Sequence, residues 1–433
     1  MLLRLIRSGQ WLWLIHLRYL MELVWAAMLK SWFPQSGGTY GPALTKIIRF
    51  DVASTDFLDL SEARFQCDFT ATHNGQDVTQ TLDGGLGGCI SRLTITSNIS
   101  GLLLERIDDY ALVQTLLNQC SDRARLDPSA LLEQEMFITD PANIDAANYM
   151  MTANTVRQLS HKLHGAWFQT SHKKLLPPGV SFKVEIELVG SANECCKLTG
   201  AAADQTGFTL SNCSLVIPTV TIESRSFEER TMQLLQTGWT WTGATYTTNK
   251  YSSNAAGARN LTVPGQALAL TGLIAVIRLN NSLSATNAFQ NYFREGGGFQ
   301  SDYNVTIGSD QYPPLKIQYS GGTLTDQNVI GNGTNYKFAE ATQQIAAVLG
   351  NSPVNSYATF VSTAAHKGQG FIAVQTGYGQ GQGVDTQSAA LNISFNLNPA
   401  LNTDAEICVI TQSTSSFRLE SRGGAIEVTN LSG

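Results

Sequence analysis

Between Ser181 and Leu188 the side chains alternate without a break: Phe182, Val184, Ile186 and Leu188 are apolar, while Ser181, Lys183, Glu185 and Glu187 are polar. A period of two sustained over eight residues specifies a half-buried antiparallel strand, because a helix cannot gather such a pattern onto one face. The turn Lys174-Leu-Leu-Pro-Pro-Gly179 precedes this strand. After a polar loop holding Cys195 and Cys196, the run Leu215-Val-Ile-Pro-Thr-Val-Thr-Ile222 reads as a second apolar strand. The stretch from His172 to Ile222 is therefore expected to be a hairpin that closes a sheet.

The rest of the chain reads as two copies of that sheet. From Ala43 to Ile99 short strands are expected at Ile47 to Val52, Phe65 to Phe69 and Ile90 to Ile95, separated by turn clusters such as His73-Asn-Gly75 and Asp83-Gly-Gly85. From Gly101 to Cys120 the spacing of Leu104, Ile107, Leu112, Leu116 and Leu117 predicts a helix. Asp127-Pro128 reads as an N-cap with proline at the first helical position, opening a second helix to about Phe137. Residues 140–165 read as an excursion, with strands resuming near Trp167.

The second half repeats this order. Val263 to Leu279 is strand-like, Ala285 to Phe293 is helical in pattern, and two strands flank a turn at Gln311-Tyr-Pro-Pro314. Tyr336 to Leu349 predicts a helix stopped by Gly350. Strands at Phe371 to Val374, Leu391 to Leu397, Glu406 to Thr411, Phe417 to Leu419 and Ile426 to Val428 close the half. The segment 389–428 thus matches 180–222, and two sandwiches in tandem account for both. The expected divisions are a helical arm over 1–40, a first unit over 41–235 and a second over 236–433.

Composition narrows the function. A chain of 433 residues needs two cores. Only 14% of its residues are charged, against about a quarter in ordinary soluble domains, which suits surfaces buried in an assembly. The net charge of -6, with no basic tract after residue 30, argues against specific nucleic-acid binding. The seven cysteines are odd in number and irregularly spaced, and are read as buried thiols. His161, His164 and His172 near Cys195 and Cys196 lack metal-ligand spacing and are read as surface or loop histidines beside buried thiols. The glycine-rich Gly377 to Gly383 has no following Lys-Ser/Thr, and there is no Gly-x-Ser-x-Gly elbow or paired carboxylate set. Neither an enzyme activity nor a cofactor is expected.

Residues 1–33 stand apart. As a helix they place Arg4, Arg7, Arg18 and Glu22 on one stripe of an otherwise apolar and aromatic surface. Arg18 and Glu22 interrupt any span of about 20 apolar residues, and no clean cleavage site follows, so neither a transmembrane helix nor a secretory signal fits. Three roles stay open: an interfacial membrane helix, an arm packed into a partner subunit, and an ordinary buried helix. Trp11, Trp13, Arg18, Trp25 and Trp32 are the candidate anchor residues, toward a membrane or the inner side of a shell. Pro34 and Gly37-Gly38 then mark a linker.

Three passages resemble a known lineage, the double jelly-roll major capsid proteins of tailless icosahedral DNA viruses, which include polinton-like viruses, virophages, large DNA viruses and membrane-containing phages. The first runs from Lys174 through Leu188 to the strand Leu215 to Ile222, similar to the end of the family's first barrel. The second runs from Asn291-Tyr-Phe293 through Tyr303-Asn-Val-Thr-Ile-Gly-Ser-Asp-Gln-Tyr-Pro-Pro314. The third runs from Asn351 to Phe371, then Asp385-Thr-Gln and the final strands Phe417 to Val428. The order of the three carries the resemblance, although the N-terminal arm is longer and more aromatic than the family's pattern.

The resemblance implies a mainly β chain of two tandem eight-stranded antiparallel jelly rolls with short inserted helices, preceded by an amphipathic helix. It implies a homotrimer whose six barrels form a pseudo-hexagonal capsomer of an icosahedral virion shell. The implied partners are neighbouring capsomers, minor capsid proteins and an internal membrane met through residues 1–33. Two other roles are weighed beside it. One is a minor or vertex capsid protein; the other is a membrane-tethered carbohydrate-binding jelly roll, with Trp239, Trp241 and Tyr246 stacking on sugars, although these three read rather as loop or interface aromatics.

Overall fold

The structure, a computed structural model, describes residues 24–431 except 73–78, 83, 122–127, 138–150, 170–174, 200–206, 254–256, 265–266, 280–298, 319–343, 350–370, 378–382, 398–404 and 423–424. The expected helix 285–293, most of the helix 336–349, and the passages 291–293 and 351–370 lie outside these residues, as do the turn at His73-Asn-Gly75, Asp127 and most of the glycine-rich loop.

The first half carries strands β1 (Val24–Trp32), β2 (Ile47–Ala53), β3 (Phe57–Leu58), β4 (Arg64–Ala71), β5 (Thr79–Leu82), β6 (Ile90–Ser97), β7 (Leu103–Asp108), β8 (Val156–Lys162), β9 (Ser181–Leu188), β10 (Cys196–Thr199) and β11 (Phe208–Ile222). One sheet has the order β1-β11-β4-β8 and the facing sheet β2-β9-β6-β7. The short β3 pairs with β11, and β5 pairs with β10.

The second half carries β12 (Trp239–Ser253), β13 (Gly257–Val263), β14 (Leu270–Leu279), β15 (Phe299–Ile307), β16 (Asp310–Gln318), β17 (Phe371–Gln375), β18 (Leu391–Leu397), β19 (Ala405–Arg422) and β20 (Ala425–Asn430). Its sheets are β12-β19-β14-β17 and β13-β18-β15-β16, with β20 added to β19.

Counting the eight principal strands of each half from one to eight, both halves have one sheet in the order 1-8-3-6 and the other in the order 2-7-4-5. All of these pairings are antiparallel. This is the jelly-roll arrangement, built twice. Alternation explains why each strand lies where it does. β4 and β9 bury every second residue, so Phe65, Cys67, Phe69, Phe182, Val184 and Ile186 fill the sandwich while their neighbours face outward.

Several sequence expectations need correction. Val24–Trp32, expected within the helical arm, is the first strand of the first barrel, and all but one of its residues pair with β11 from Ile222 to Leu215. Met28, Leu29 and Lys30 are all exposed, so this edge strand lacks the one-sided burial that makes a strand legible. The segment from His172 to Ile222 is not a hairpin, because β9 and β11 belong to opposite sheets. Its match to 389–428 holds all the same, since β9 and β18 are the seventh strands and β11 and β19 the eighth.

Leu103–Asp108 is a strand, and the helix begins only at Tyr110, running to Gln119. Strands resume at Val156, earlier than Trp167. Val263 to Leu279 is two strands separated by residues 264–269. Glu406 to Leu419 lies within one strand of 18 residues, β19, where two were expected. Pro313 and Pro314 stand inside β16, and the turn falls at Gly308 and Ser309. That position is tolerated because β16 is an edge strand with a register shift opposite Tyr303 and Val305. The helix Pro128–Glu135 lies where its capping signals place it.

Candidate assembly site

The two barrels are joined by the helix Arg225–Thr237, and one contiguous set of buried apolar side chains runs through both. Between them lies a seam built on residues 165–168. The Trp167 ring, fully buried, meets Phe182 of its own barrel at 5.5 Å, and stacks on Trp241 of β12 at 5.9 Å and edge-on against Phe417 of β19 at 5.2 Å. Such aromatic contacts add roughly 0.5–1.5 kcal/mol each to the burial itself.

Polar groups fix the seam's geometry. The Glu105 carboxylate of β7, 4% exposed, accepts the backbone N–H of Ala166 at 2.7 Å and of Trp167 at 2.9 Å, and also bonds the Thr245 side chain across the seam. Burial pushes this carboxyl up to about 7, and the hydrogen bonds only partly offset it. Gly243 of β12 faces the Ala166 backbone so closely that a Cβ there would stand 2.3 Å from the Ala166 oxygen. Only glycine permits this approach. Asn430 of β20 donates to the Leu104 oxygen at 2.8 Å, and Lys250 pairs with Asp109. Leu102, Leu103, Leu268 and the hydroxyls of Thr247 and Ser413 line a cleft of about 580 Å³ that opens along this seam.

The outer faces differ. In the first barrel the sheet β2-β9-β6-β7 carries cross-strand ion pairs: Arg49–Glu185 at 2.6 Å, Arg92–Glu187 at 2.9 Å and Arg92–Asp108 at 2.6 Å, each between residues directly opposite in register. The polar face Lys183, Glu185 and Glu187 read from the sequence is thus part of a charge ladder. In the second barrel the matching strands β13 and β18 pair neutral groups instead, with Thr262 donating to Asn392 at 2.8 Å and Ser394 to Asn260 at 3.4 Å.

His161 is a buried strand residue and not a surface or loop histidine, whereas His164 lies in the loop after β8 and is half-buried. His161 is fully buried, its Nε2 3.1 Å from the Tyr110 hydroxyl and its Nδ1 3.0 Å from Glu135. The Tyr110 hydroxyl also accepts the His164 backbone N–H at 2.9 Å. Burial alone would raise the Glu135 carboxyl, but His161, His164 and the Asn118 hydrogen bond together outweigh it and hold the group low. Burial and then His161 hold His164 at about 3. The network ties both inserted helices to β8. It is enclosed, and gives a substrate no approach.

Cys195 and Cys196, with sulfurs 3.7 Å apart, are buried, as are the other five cysteines. His172 lies outside the described residues. Among the described residues, no three His, Cys, Asp or Glu side chains form a group that could hold a metal ion.

Of the candidate anchor residues, Trp11, Trp13 and Arg18 lie outside the described residues. Trp25 is in β1, and Trp32 is 9% exposed at the end of that strand, packed into the first barrel with the Lys30 ammonium 5.3 Å from its ring. Trp32 therefore cannot reach a membrane. No helix among the described residues is long and apolar enough to cross one. Trp241 is fully buried and Tyr246 is 5% exposed, so neither presents a face to a sugar. Trp241 is instead the interface aromatic that the sequence favoured for it, whereas Trp167, Glu105 and Gly243 were missed.

No family model and no curated protein matches the sequence. Solved structures do. The chain superposes on the PBCV-1 virus capsid with a TM-score of 0.57 and 9% identity, covering 93% of this chain and 97% of that one. The Sputnik virophage structure gives 0.57 with 10% identity over 94% and 89%, and the mavirus major capsid protein 0.53 with 9% identity over 93% and 90%. The chain has the double jelly-roll fold. At such identities the likeness lies in the strand order and the side-by-side placement of two barrels, the features that the topology above displays.

Proposed function

We propose that this chain is a major capsid protein: a structural subunit that forms a homotrimer, presents six barrels as a pseudo-hexagonal capsomer, and tiles an icosahedral virion shell. The observation that carries this reading is the duplication. Two barrels of the same strand order, joined by a buried aromatic seam, make one unit, and three such units around an axis give a ring of six nearly equal barrels. The capsid structures of PBCV-1 virus, Sputnik virophage and mavirus, which share this fold, support it.

A second observation favours contact between copies. β1 is an edge strand with Met28, Leu29 and the following Phe33 exposed at 67%, 74% and 72%. An apolar sheet edge left open is a liability unless a partner covers it. We assign it to the contact between subunits, with further capsomers and minor capsid proteins at the outer faces. Nothing in this reading calls for catalysis or a cofactor. Light scattering on the purified protein is expected to give the mass of three 46.9 kDa chains. A monomer that persists on concentration would count against it.

A further inference from the structure

A groove of about 640 Å³ runs between the linking helix Arg225–Thr237 and the end of the first barrel, with Phe57, Pro177, Pro178, Met232 and Leu235 as its apolar wall. The charged residues that line it, Glu228 and Glu229, are both acidic. Met232 is 57% exposed on a helix whose ring contact, Phe227 against Phe57 at 5.4 Å, fastens it to β3.

The chain itself supplies a matching segment. Val24 pairs with Ile222, three residues before the linking helix begins, and because β1 and β11 are antiparallel, residues 1–23 leave the barrel at the end where that helix starts. β3 pairs with β11 on the side opposite β1, so the groove starts about 10 Å from Val24, two strand spacings away. Twenty-three residues reach about 35 Å as a helix and about twice that extended, more than the groove requires. Their chemistry is complementary: Leu5, Trp11, Leu14 and Leu17 are among many apolar residues, and Arg4, Arg7 and Arg18 outnumber the single acid Glu22.

We propose that residues 1–23 dock in cis into this groove, their apolar face on Phe57, Met232 and the two prolines and their arginines toward Glu228 and Glu229. The arm then serves as a clamp on the inter-barrel linker. This does not depend on the capsid reading, because it concerns contacts within one chain.

The test uses the full chain with a benzophenone amino acid in place of Met232. Irradiation is expected to give cross-links to residues 1–23 at monomer mass on a denaturing gel. Glu228→Arg in the same protein is expected to reduce their yield about fivefold, the effect of reversing one exposed charge contact. Cross-links that join two chains, or that leave residues 1–23 untouched while the protein remains folded by circular dichroism, would overturn the proposal. So would cross-links that are lost on adding anionic lipid vesicles while the arm's tryptophan emission shifts to the blue, since the arm would then prefer a membrane. An oligomer measurement on the same sample separates these outcomes from failure of the trimer.

Discussion

The two barrels have the same strand order but differ in the outward residues of their second and seventh strands. On the first, the sheet β2-β9-β6-β7 faces outward with Arg49, Arg92, Glu185, Glu187 and Asp108 in ion pairs. On the second, the outward pairs between the matching strands β13 and β18 are Asn260–Ser394 and Thr262–Asn392. Topology therefore does not depend on the outward residues; it follows from the inward alternation of Phe182, Val184 and Ile186 in one barrel and Leu391, Ile393 and Phe395 in the other. The outward residues are left to decide what each barrel meets. Charges suit a salt-sensitive surface, and neutral amides and hydroxyls suit one covered by protein.

The strongest way to break the comparison is to break what joins the barrels. Trp167→Ala removes the ring that both cores share, and is expected to lower unfolding free energy by about 3–5 kcal/mol in urea titrations. Gly243→Val should be at least as damaging, since the added carbons meet the Ala166 backbone. If either variant unfolded like the parent, the seam would not couple the barrels.

The next effect is on pH. Glu105 rises from 4.5 in the unfolded chain to about 7 when folded. A raised value means that its contribution is present below 4.5 and is lost as pH climbs through 7, a difference of about 3 kcal/mol. Glu105→Gln should flatten this fall between pH 4.5 and 7 in a melting-temperature profile, and an unchanged fall would show that Glu105 does not titrate at the seam.

His164 acts in the other direction. Its value falls from 6.5 to about 3, so its contribution is present above 6.5 and drains away as pH falls toward 3, with Glu135 adding to the loss below its ordinary value of 4.5. His164→Gln should blunt this acid limb, again read by melting temperature. This network lies in the first barrel, so the loss should appear first in probes of that half.

The smallest effect sharpens the surface contrast. Glu185→Ala is expected to cost about 0.2–1 kcal/mol at low salt and less at high salt. Asn392→Ala, at the matching site of the second barrel, should show no salt dependence, and equal salt slopes would remove the distinction.

What could be read from the sequence follows the same physics. β4, β9 and β18 were legible because each buries one face and exposes the other. β1 was not, because Met28 and Leu29 are both exposed on an unpaired edge and the run Val24-Trp-Ala-Ala-Met-Leu29 carries helix formers without alternation. The partner of each strand was out of reach, since β9 pairs with β2 and β6 and not with the next long strand. The seam was hidden for a related reason: Glu105 meets Trp167 62 residues away in sequence, and Trp167 meets Trp241 only when two separate barrels dock. Two local signals point there, a glutamate within the strand run Leu103-Leu-Glu-Arg-Ile107 and a glycine in mid-strand at Gly243.

The central claim is that two locked barrels make one third of a six-barrel capsomer. Negative-stain images of the purified protein test it most directly. Class averages are expected to show a hexagonal outline and threefold symmetry; particles of the size of a single two-barrel chain at every concentration would overturn the trimeric capsomer.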